Sequence, residues 1–287
     1  MKGIVLAGGS GSRLWPMTKV VSKQLLPIHD RPMIYYPIST LMLSGIREFL
    51  IIVTPDDLEI FTRLFGNGEN LGIDVQFSVQ HKPEGIAQAF HIGENFIGSS
   101  KVALILGDNV FHGQGLGRQL ERMKETKGAN IFGYQVNNPQ DYGVVSFDDS
   151  GQVTSIQEKP NKPISHWAIP GLYFYDNSVL EISKSILPSS RGELEITDIN
   201  NRYLTEGKLT VTLLERGTTW LDTGTISSYH AANEYVRIVE ERQGIKISCP
   251  EEIAWRSGWI TDEHLEKLAL NYKYSNYGHY LMRLLRK

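Results

Sequence analysis

Only one cysteine, Cys249, occurs in the 287 residues, so no internal disulfide can close and nothing argues for an oxidising compartment. No Cys/His ligand set surrounds it, and it reads as a buried or indifferent thiol. Long apolar runs are missing as well. No segment approaches the roughly 20 apolar residues of a membrane span. The stretch Ile4–Ala7 ends in a Gly/Ser turn, too soon for the core of a signal peptide. Charge of one sign is not in excess: a net charge of −3 gives no electrostatic case for nucleic acid or an anionic membrane as partner. Any phosphate binding must therefore come from a local site. None of the eight histidines pairs with a serine or cysteine as an activated nucleophile. His81 and His112, at the borders of strands, read as solvated loop residues. There is no low-complexity tract, linker or internal repeat. What remains is a cytoplasmic globular chain of ordinary composition, 41% hydrophobic and 21% charged.

Residues 1–110 alternate between two periodicities. Ile4–Ala7, Phe49–Val53, Val75–Val79 and Val102–Leu106 are short β-branched runs suited to buried strands. Ile34–Ser44, Asp56–Phe65 and Ile86–Phe96 carry apolar residues at helical spacing. This rhythm predicts an α/β fold, a mostly parallel Rossmann-like sheet with helices on both faces. After residue 130 the strands crowd together: Ile131–Val136, Val144–Phe147 and Val153–Gln157, the last two joined by the turn Asp148–Gly151, then Leu172–Tyr175. Helices are expected around Asn177–Ser185, Glu195–Glu206 and Ser227–Glu241, and two short ones between Glu263 and Arg286. The organisation that follows is one mixed α/β core over 1–240, in two halves, 1–110 and 111–240. A mixed α+β region is built onto the first sheet, and helices occupy 241–287. The aromatics Trp255, Trp259, Tyr272, Tyr274, Tyr277 and Tyr280 read as core or subunit contact.

Four segments can carry chemistry. Gly8-Gly9-Ser10-Gly11-Ser12-Arg13-Leu14 follows the first strand. Its glycines let successive backbone N–H groups face phosphate oxygens, and a helix starting beyond would add its positive end. Arg13 and Lys23 could neutralise a triphosphate; a tight turn with two surface cations is the plain alternative. The loop lacks the Gly-Lys-Ser/Thr of a Walker motif, and Leu14 stands where the dinucleotide fingerprint needs a third glycine. Asp108, just past Val102–Leu106, lies at the carboxyl edge of the sheet, where a carboxylate and phosphate oxygens can hold magnesium. It could equally cap the next turn. Asp222, in Trp220–Thr225, could complete a two-carboxylate clamp with Asp108 or cap the helix near Ile226; spacing does not decide. Tyr142-Gly143 and Glu158-Lys159 offer acceptors for hydroxyls and a cation for phosphate, and Arg191 is a further loop cation. A Glu-Lys surface pair and a helix starting at Glu193 or Glu195 are the alternatives.

Taken in order, eight segments resemble the glucose-1-phosphate thymidylyltransferases of bacteria and archaea. They are Gly8–Leu14, Val21–Pro27, Pro32–Pro37, Gly85–Phe90, Leu106–Asn109, Gly171–Asp176, Arg191–Asp198 and Trp220–Thr225. The resemblance implies a core of glycosyltransferase-A-like topology, with a nucleotide-binding half (1–110) and a sugar-phosphate-binding half (111–240), and a homotetramer, with 241–287 as subunit contact or regulatory site. The implied reaction joins dTTP and glucose 1-phosphate into dTDP-glucose and pyrophosphate with Mg²⁺, opening dTDP-rhamnose and other deoxysugar routes toward cell-surface polysaccharide. It assigns Gly8, Gly9, Gly11, Ser12, Arg13, Lys23 and Gln24 to the triphosphate, and Gln80, Pro83 and Gly85 to the base. Asp108 and Asp222 take the metal. Tyr142, Gly143, Glu158, Lys159, Ile169, Arg191 and Trp220 take the sugar phosphate. Arg13, Lys23, Asp108, Lys159 and Asp222 form the catalytic set. Ser12 replaces the usual Thr, and Ile169 the usual Val. Trp15 stands where Tyr is usual, as in mannose-1-phosphate guanylyltransferases. His112-Gly113-Gln114 departs from the family's Tyr-Gly-His in a region tied to feedback inhibition, which bears on regulation rather than catalysis. A UTP- or GTP-using sugar-1-phosphate nucleotidyltransferase is the alternative reading.

Overall fold

In the computed structural model, which describes residues 1–9 and 11–286, the four apolar runs of the first half become adjacent parallel strands. In space they run Val102–Leu106, Lys2–Ala7, Glu48–Val53, Asp74–Val79, with Leu6 opposite both Ile52 and Leu106. The inner three, buried on both faces, read as continuous hydrophobic runs, whereas Asp74–Val79 is the edge strand and alternates, with Asp74 and Gln76 exposed. The period of two sorts their side chains between two layers. Ile4, Leu50, Ile52, Val102 and Leu104 face one, while Val5, Ile51, Val53, Ala103 and Ile105 face the other.

The strand Leu172–Tyr175 attaches antiparallel to Val102–Leu106 and carries the sheet on through Ala129–Gln135, Trp167–Ala168, Gly143–Phe147 and Val153–Glu158. The sheet thus joins a parallel half to an antiparallel half at one strand. Leu209–Leu213, not anticipated from the sequence, pairs in parallel with Ala129–Gln135; its half-exposed Leu-Thr-Val-Thr-Leu alternation is the missed signal. A separate antiparallel pair, Asn109–His112 with Thr219–Asp222, was also missed. His112 consequently is a half-buried strand residue whose ring bonds the Tyr235 hydroxyl at 2.8 Å, correcting its reading as a loop histidine. His81 is exposed, as expected.

The helical run expected over 86–96 is split into Gln88–Ile92 and Glu94–Ile97 at Gly93, where a Cβ would lie 2.8 Å from Ile4 Cδ1 and 2.9 Å from the Ala89 carbonyl. The two expected C-terminal helices are Asp262–Asn271 and Asn276–Leu284. A third, Pro250–Arg256, starts at a proline followed by two glutamates, a recognised start signal in a segment only seven residues long. Ala254, Leu265, Tyr277 and Leu281 from these helices join the same apolar layer as the helix Tyr35–Leu43. Cys249 is buried there beside Tyr277; burial and the neighbouring Glu251 push its thiol well up, which makes it inert. Of the six C-terminal aromatics, Tyr277 and Tyr280 are core, while Tyr274 is 91% exposed. No described helix is long and apolar enough to cross a membrane.

Arg31 ties the C-terminal part to the rest. It bonds Glu240 and the Ile247 carbonyl and lies between the rings of Tyr36 and Tyr277, 5.4 Å from each. Glu240 also accepts from Lys246 at 2.8 Å and from the Ile247 N–H at 2.7 Å. His29, Asp30 and Glu240 are the only described trio of potential metal ligands, but Arg31 and Lys246 already supply their countercharge. The trio is part of an ion-pair network.

The long helix Ile226–Gln243 begins with a capping box between Thr225 and Ser228, so Thr225, and not Asp222, is its cap. Thr225→Ala should cost about 1 kcal/mol in chemical denaturation, with little change in the slope of the transition.

Candidate active site

The Gly-rich loop and Asp108 leave the sheet side by side, because the strands before them are parallel neighbours paired through Leu6 and Leu106. That is the carboxyl edge, where open α/β sheets bind ligands. Gly8 has no room for a side chain: a Cβ there would lie 2.1 Å from Gln80 Oε1. Gly11 takes φ of 63°, and its carbonyl accepts from Thr18 Oγ1 at 2.7 Å. No long helix follows. The loop runs into a single 3-10 turn, Ser12–Leu14, because Trp15 precedes Pro16 and adopts the extended backbone that prolines impose on their predecessors. Phosphate groups here would meet loop N–H groups and side-chain cations without a helix dipole.

Lys23 sits in another short 3-10 turn, nearly buried, with its ammonium on Asp108 Oδ2. Asp108 Oδ1 accepts from Asn109 Nδ2 at 2.9 Å. The residues from Trp220 to Thr225 arrive from far along the chain by strand pairing: Asp222 stands opposite Asn109, and Thr223 Oγ1 donates to the Asp108 carbonyl at 2.8 Å. Asp108 and Asp222 therefore do meet. Burial opposes ionisation of Asp108, yet Lys23 beside it and the hydrogen bonds from Lys23 and Asn109 hold its carboxyl below the usual range. Asp222 goes the other way. Burial and the Asp108 charge push it up to about 6, against Lys23 and Arg13. Its Oδ1 accepts from the Gly224 N–H at 2.9 Å.

Two adjoining hollows open around this pair. One, about 180 Å³, is lined by Asp108 and Asp222 together with Tyr142, Gly143, Glu158, Lys159, Ile169 and Trp220. The other, about 370 Å³, is lined by Gly9, Gly11, Ser12, Lys23, Gln80, Pro83 and Gly85. Arg13 and Lys159 line both. A larger hollow of about 780 Å³ lies against the C-terminal helices and shares no residue with either. It holds the ion-pair network already described.

Local structure explains how these side chains are presented. Lys159 ends the strand Val153–Glu158 in a left-handed conformation, φ 40°, while its N–H donates to the Tyr142 carbonyl at 3.1 Å. Such a backbone costs of order 1–3 kcal/mol for a non-glycine residue and is characteristic of functional positions. Glu158 accepts from Thr197 Oγ1 at 2.6 Å. The Ile169 N–H is spent on the Gly143 carbonyl at 2.8 Å, which leaves its carbonyl and side chain for a ligand. Burial, together with Asp222 and Asp141, raises the Tyr142 phenol, whose ring packs edge-on against Trp220 at 5.0 Å.

Three residues named from the sequence line neither hollow. Gly8 lies beneath Gln80. Gln24 is 3% exposed and accepts from the Ser22 hydroxyl at 2.9 Å. Arg191 faces carboxylates: Glu195 at 2.8 Å, Glu158 at 3.4 Å and Glu193 at 3.5 Å. Conversely, Asn109 was read only as part of a motif and proves to be a hub. Its Oδ1 accepts from Trp220 Nε1 at 2.6 Å and from the Gly171 N–H at 3.1 Å, while its amide nitrogen holds Asp108. The available signal was slight: an asparagine directly after Asp108 and before the apolar pair Val110-Phe111.

The arrangement combines backbone donors, cations at the seam of two hollows, and two carboxylates that repel one another. Hard oxygen donors of this number, with substrate phosphates alongside, suit a hard divalent cation, and such a charge would relieve the repulsion that lifts Asp222. The site fits Mg²⁺ on Asp108 and Asp222.

The nucleotidyl transferase family model matches residues 2–238. The chain is 54% identical over 288 residues to the glucose-1-phosphate thymidylyltransferase of Neisseria meningitidis, and 53% identical over 287 residues to that of Mycobacterium tuberculosis, covering 100% of both chains in each case. A Bacillus anthracis structure described as a glucose-1-phosphate thymidylyltransferase, solved with sucrose, superposes with TM-score 0.76 at 40% identity, over 83% of this chain and 95% of that one. UDP-glucose pyrophosphorylase shares the fold, with TM-score 0.72 at 22% identity over 83% of this chain and 98% of the other. With the family model matching residues 2–238 and relatives 53–54% identical along the whole chain, this chain belongs to the nucleotidyl transferase family, among the glucose-1-phosphate thymidylyltransferases.

Proposed function

We propose that the chain transfers a thymidylyl group from dTTP to α-D-glucose 1-phosphate, giving dTDP-glucose and pyrophosphate. The observation that carries this reading is the convergence of Asp108 and Asp222 where a glycine-lined hollow meets a hollow of hydroxyl acceptors and a lysine. The names of relatives at 51–54% identity support thymidylyl over uridylyl transfer, since the UDP-glucose enzyme is only a fold-level neighbour.

The attacking group, a sugar phosphate oxygen, is already anionic and needs no general base. In keeping with that, no histidine lines either hollow among the described residues. The chain's task is then positioning and charge neutralisation. Gly9, Gly11 and Ser12 present backbone groups to the triphosphate, and Pro83, Gly85 and Gln80 receive the base. Arg13, at the seam, stabilises charge growing toward the leaving pyrophosphate, with Lys23 behind it. Glu158 and the Gly143 backbone bind sugar hydroxyls, and Lys159 holds the attacking phosphate in line. When bound, Mg²⁺ supplies positive charge to the reacting phosphates from Asp108 and Asp222.

Pyrophosphate release with glucose 1-phosphate and Mg²⁺ should be strongest with dTTP among dTTP, UTP, GTP, ATP and CTP, and abolished by EDTA. Preference for another nucleotide would overturn the base assignment; no release with any would overturn the reaction. The pH dependence has a definite sign. Asp222 is raised to about 6, so below that pH a proton competes with the cation. The Mg²⁺ concentration for half-maximal rate should climb roughly tenfold per pH unit below about 6 and be flat above it. A requirement that stays constant from pH 5 to 8 would remove Asp222 from the metal site. The same reading includes a homotetramer with 241–287 in subunit contact, a role that the exposed Leu270, Tyr272 and Tyr274 support. Sedimentation of the intact chain tests it.

A further inference from the structure

We infer that Gln88, which lines neither hollow, sets the direction of the Gln80 amide and so makes the base pocket an acceptor that selects a pyrimidine carrying a ring N–H. This rests on the proposed reaction and concerns how its base is chosen. Gln88 opens the helix Gln88–Ile92, held in place by the Ala87 N–H on the Leu194 carbonyl at 3.1 Å. Its Oε1 accepts from the backbone N–H of Glu84 at 3.1 Å, a group that can only donate. That contact fixes the orientation of the Gln88 amide. Its nitrogen then donates to Glu84 Oε2 at 2.8 Å.

The consequence passes to Gln80. Its amide lies 2.6 Å from Gln88 Oε1, and two amide oxygens cannot face each other at that distance, so Gln80 must present its nitrogen to Gln88. The oxygen of Gln80 is left pointing to the Gly8 side, where only a glycine tolerates it. Among the described residues no donor reaches it, and it is not a sealed-off buried atom either. Gln80 lines the hollow with Pro83 and Gly85, so this free acceptor is offered to the ligand. Thymine and uracil have an N–H between two carbonyls and can donate to it. Cytosine has a bare nitrogen at the same ring position and would meet it lone pair to lone pair. A site built to hydrogen-bond one partner rejects an analogue that leaves its polar group unpaired.

The test is the ratio of kcat/KM for dTTP to that for dCTP, with glucose 1-phosphate and Mg²⁺, in the wild type, Gln88→Ala and the double variant Gln88→Glu with Glu84→Gln. Without an acceptor at 88 the Gln80 amide is free to turn over, and the ratio should fall about tenfold, the worth of one neutral hydrogen bond. KM for dTTP should rise while KM for glucose 1-phosphate holds. Gln88→Glu, made together with Glu84→Gln so that the bond now given to Glu84 Oε2 is reversed rather than replaced by two facing carboxylates, keeps an acceptor for both the residue-84 backbone N–H and Gln80, and should retain the wild-type ratio within about threefold, the scale of a few tenths of a kcal/mol. The ratio is internal to the active fraction, so partial misfolding does not move it. If alanine abolishes folding, Gln88→Met fills the same volume without an acceptor and carries the comparison. A wild-type ratio in the alanine or methionine variant, or a double variant as unselective as alanine, overturns the inference. A wild type that releases no pyrophosphate from dTTP counts instead against the proposed reaction.

Discussion

Asp108→Asn is expected to lower the rate of pyrophosphate release from dTTP on the order of 10²–10³-fold at saturating Mg²⁺, comparable with removing one preorganised charge-stabilising group. The substitution keeps the shape and the partnership with Asn109 but deletes the charge that Lys23 faces. The Asp108 carbonyl remains to accept from Thr223, so the strand pair that brings in Asp222 should stay assembled. A second consequence has the opposite sign to ordinary damage. The Asp108 charge is one cause of the raised Asp222 carboxyl, so in the variant Asp222 should ionise at lower pH. The acid edge of residual activity should move down with it. Steady-state rates across pH 5 to 8, with thermal unfolding to confirm the fold, read both effects. Near-full activity at saturating Mg²⁺ would defeat the metal assignment.

Gly85→Ala is expected to reduce kcat/KM for dTTP by about 10- to 100-fold, as 1–3 kcal/mol of local strain implies. A Cβ at Gly85 would lie 2.4 Å from the Leu194 carbonyl oxygen and 2.5 Å from its nitrogen, and the residue's φ of 109° is closed to alanine. Leu194 cannot simply retreat. Its N–H donates to the Glu84 carbonyl at 2.7 Å and its carbonyl accepts from Ala87, so the base-binding loop is stapled to the segment before the helix Ile196–Thr205. Moving the loop also disturbs Glu84 and Gln88, which are bonded to each other and, through Gln88, to Gln80. Gly9→Ala provides the contrast. Nothing lies within 4 Å of a Cβ there, so the free protein should keep its stability. Lost activity in that variant would report the approach of a phosphate. Equal stability of the two variants in denaturant titrations would refute the argument for Gly85.

How much of this was legible beforehand differs from element to element. The parallel strands were, because burial on both faces demands unbroken apolar runs in the inner three, the edge strand Asp74–Val79 keeps a period of two, and helices packed on each face carry their own period. The hairpin at Asp148–Gly151 was, because turn residues act locally. The break in the helical run at Gly93 was not: the glycine is required by Ile4, a residue distant in sequence that packs against it. Leu209–Leu213 was hidden by its half-exposed alternation.

The candidate site divides along the same line. Local sequence determined the glycine turn after the first strand, the acidic residue past Val102–Leu106, and the cations near them, since each follows from what one stretch of backbone needs. Whether Asp108 and Asp222 share a site was decided only by tertiary structure. Thr223 and Asp108 are 115 residues apart, and they meet because two short strands pair off the main sheet. The same pairing makes Asn109 the link between a carboxylate and Trp220; Arg191, for its part, is held by Glu158, Glu193 and Glu195. Backbone conformation is a short-range property of the chain. The direction of a charged side chain depends on partners that only the folded sheet brings within reach.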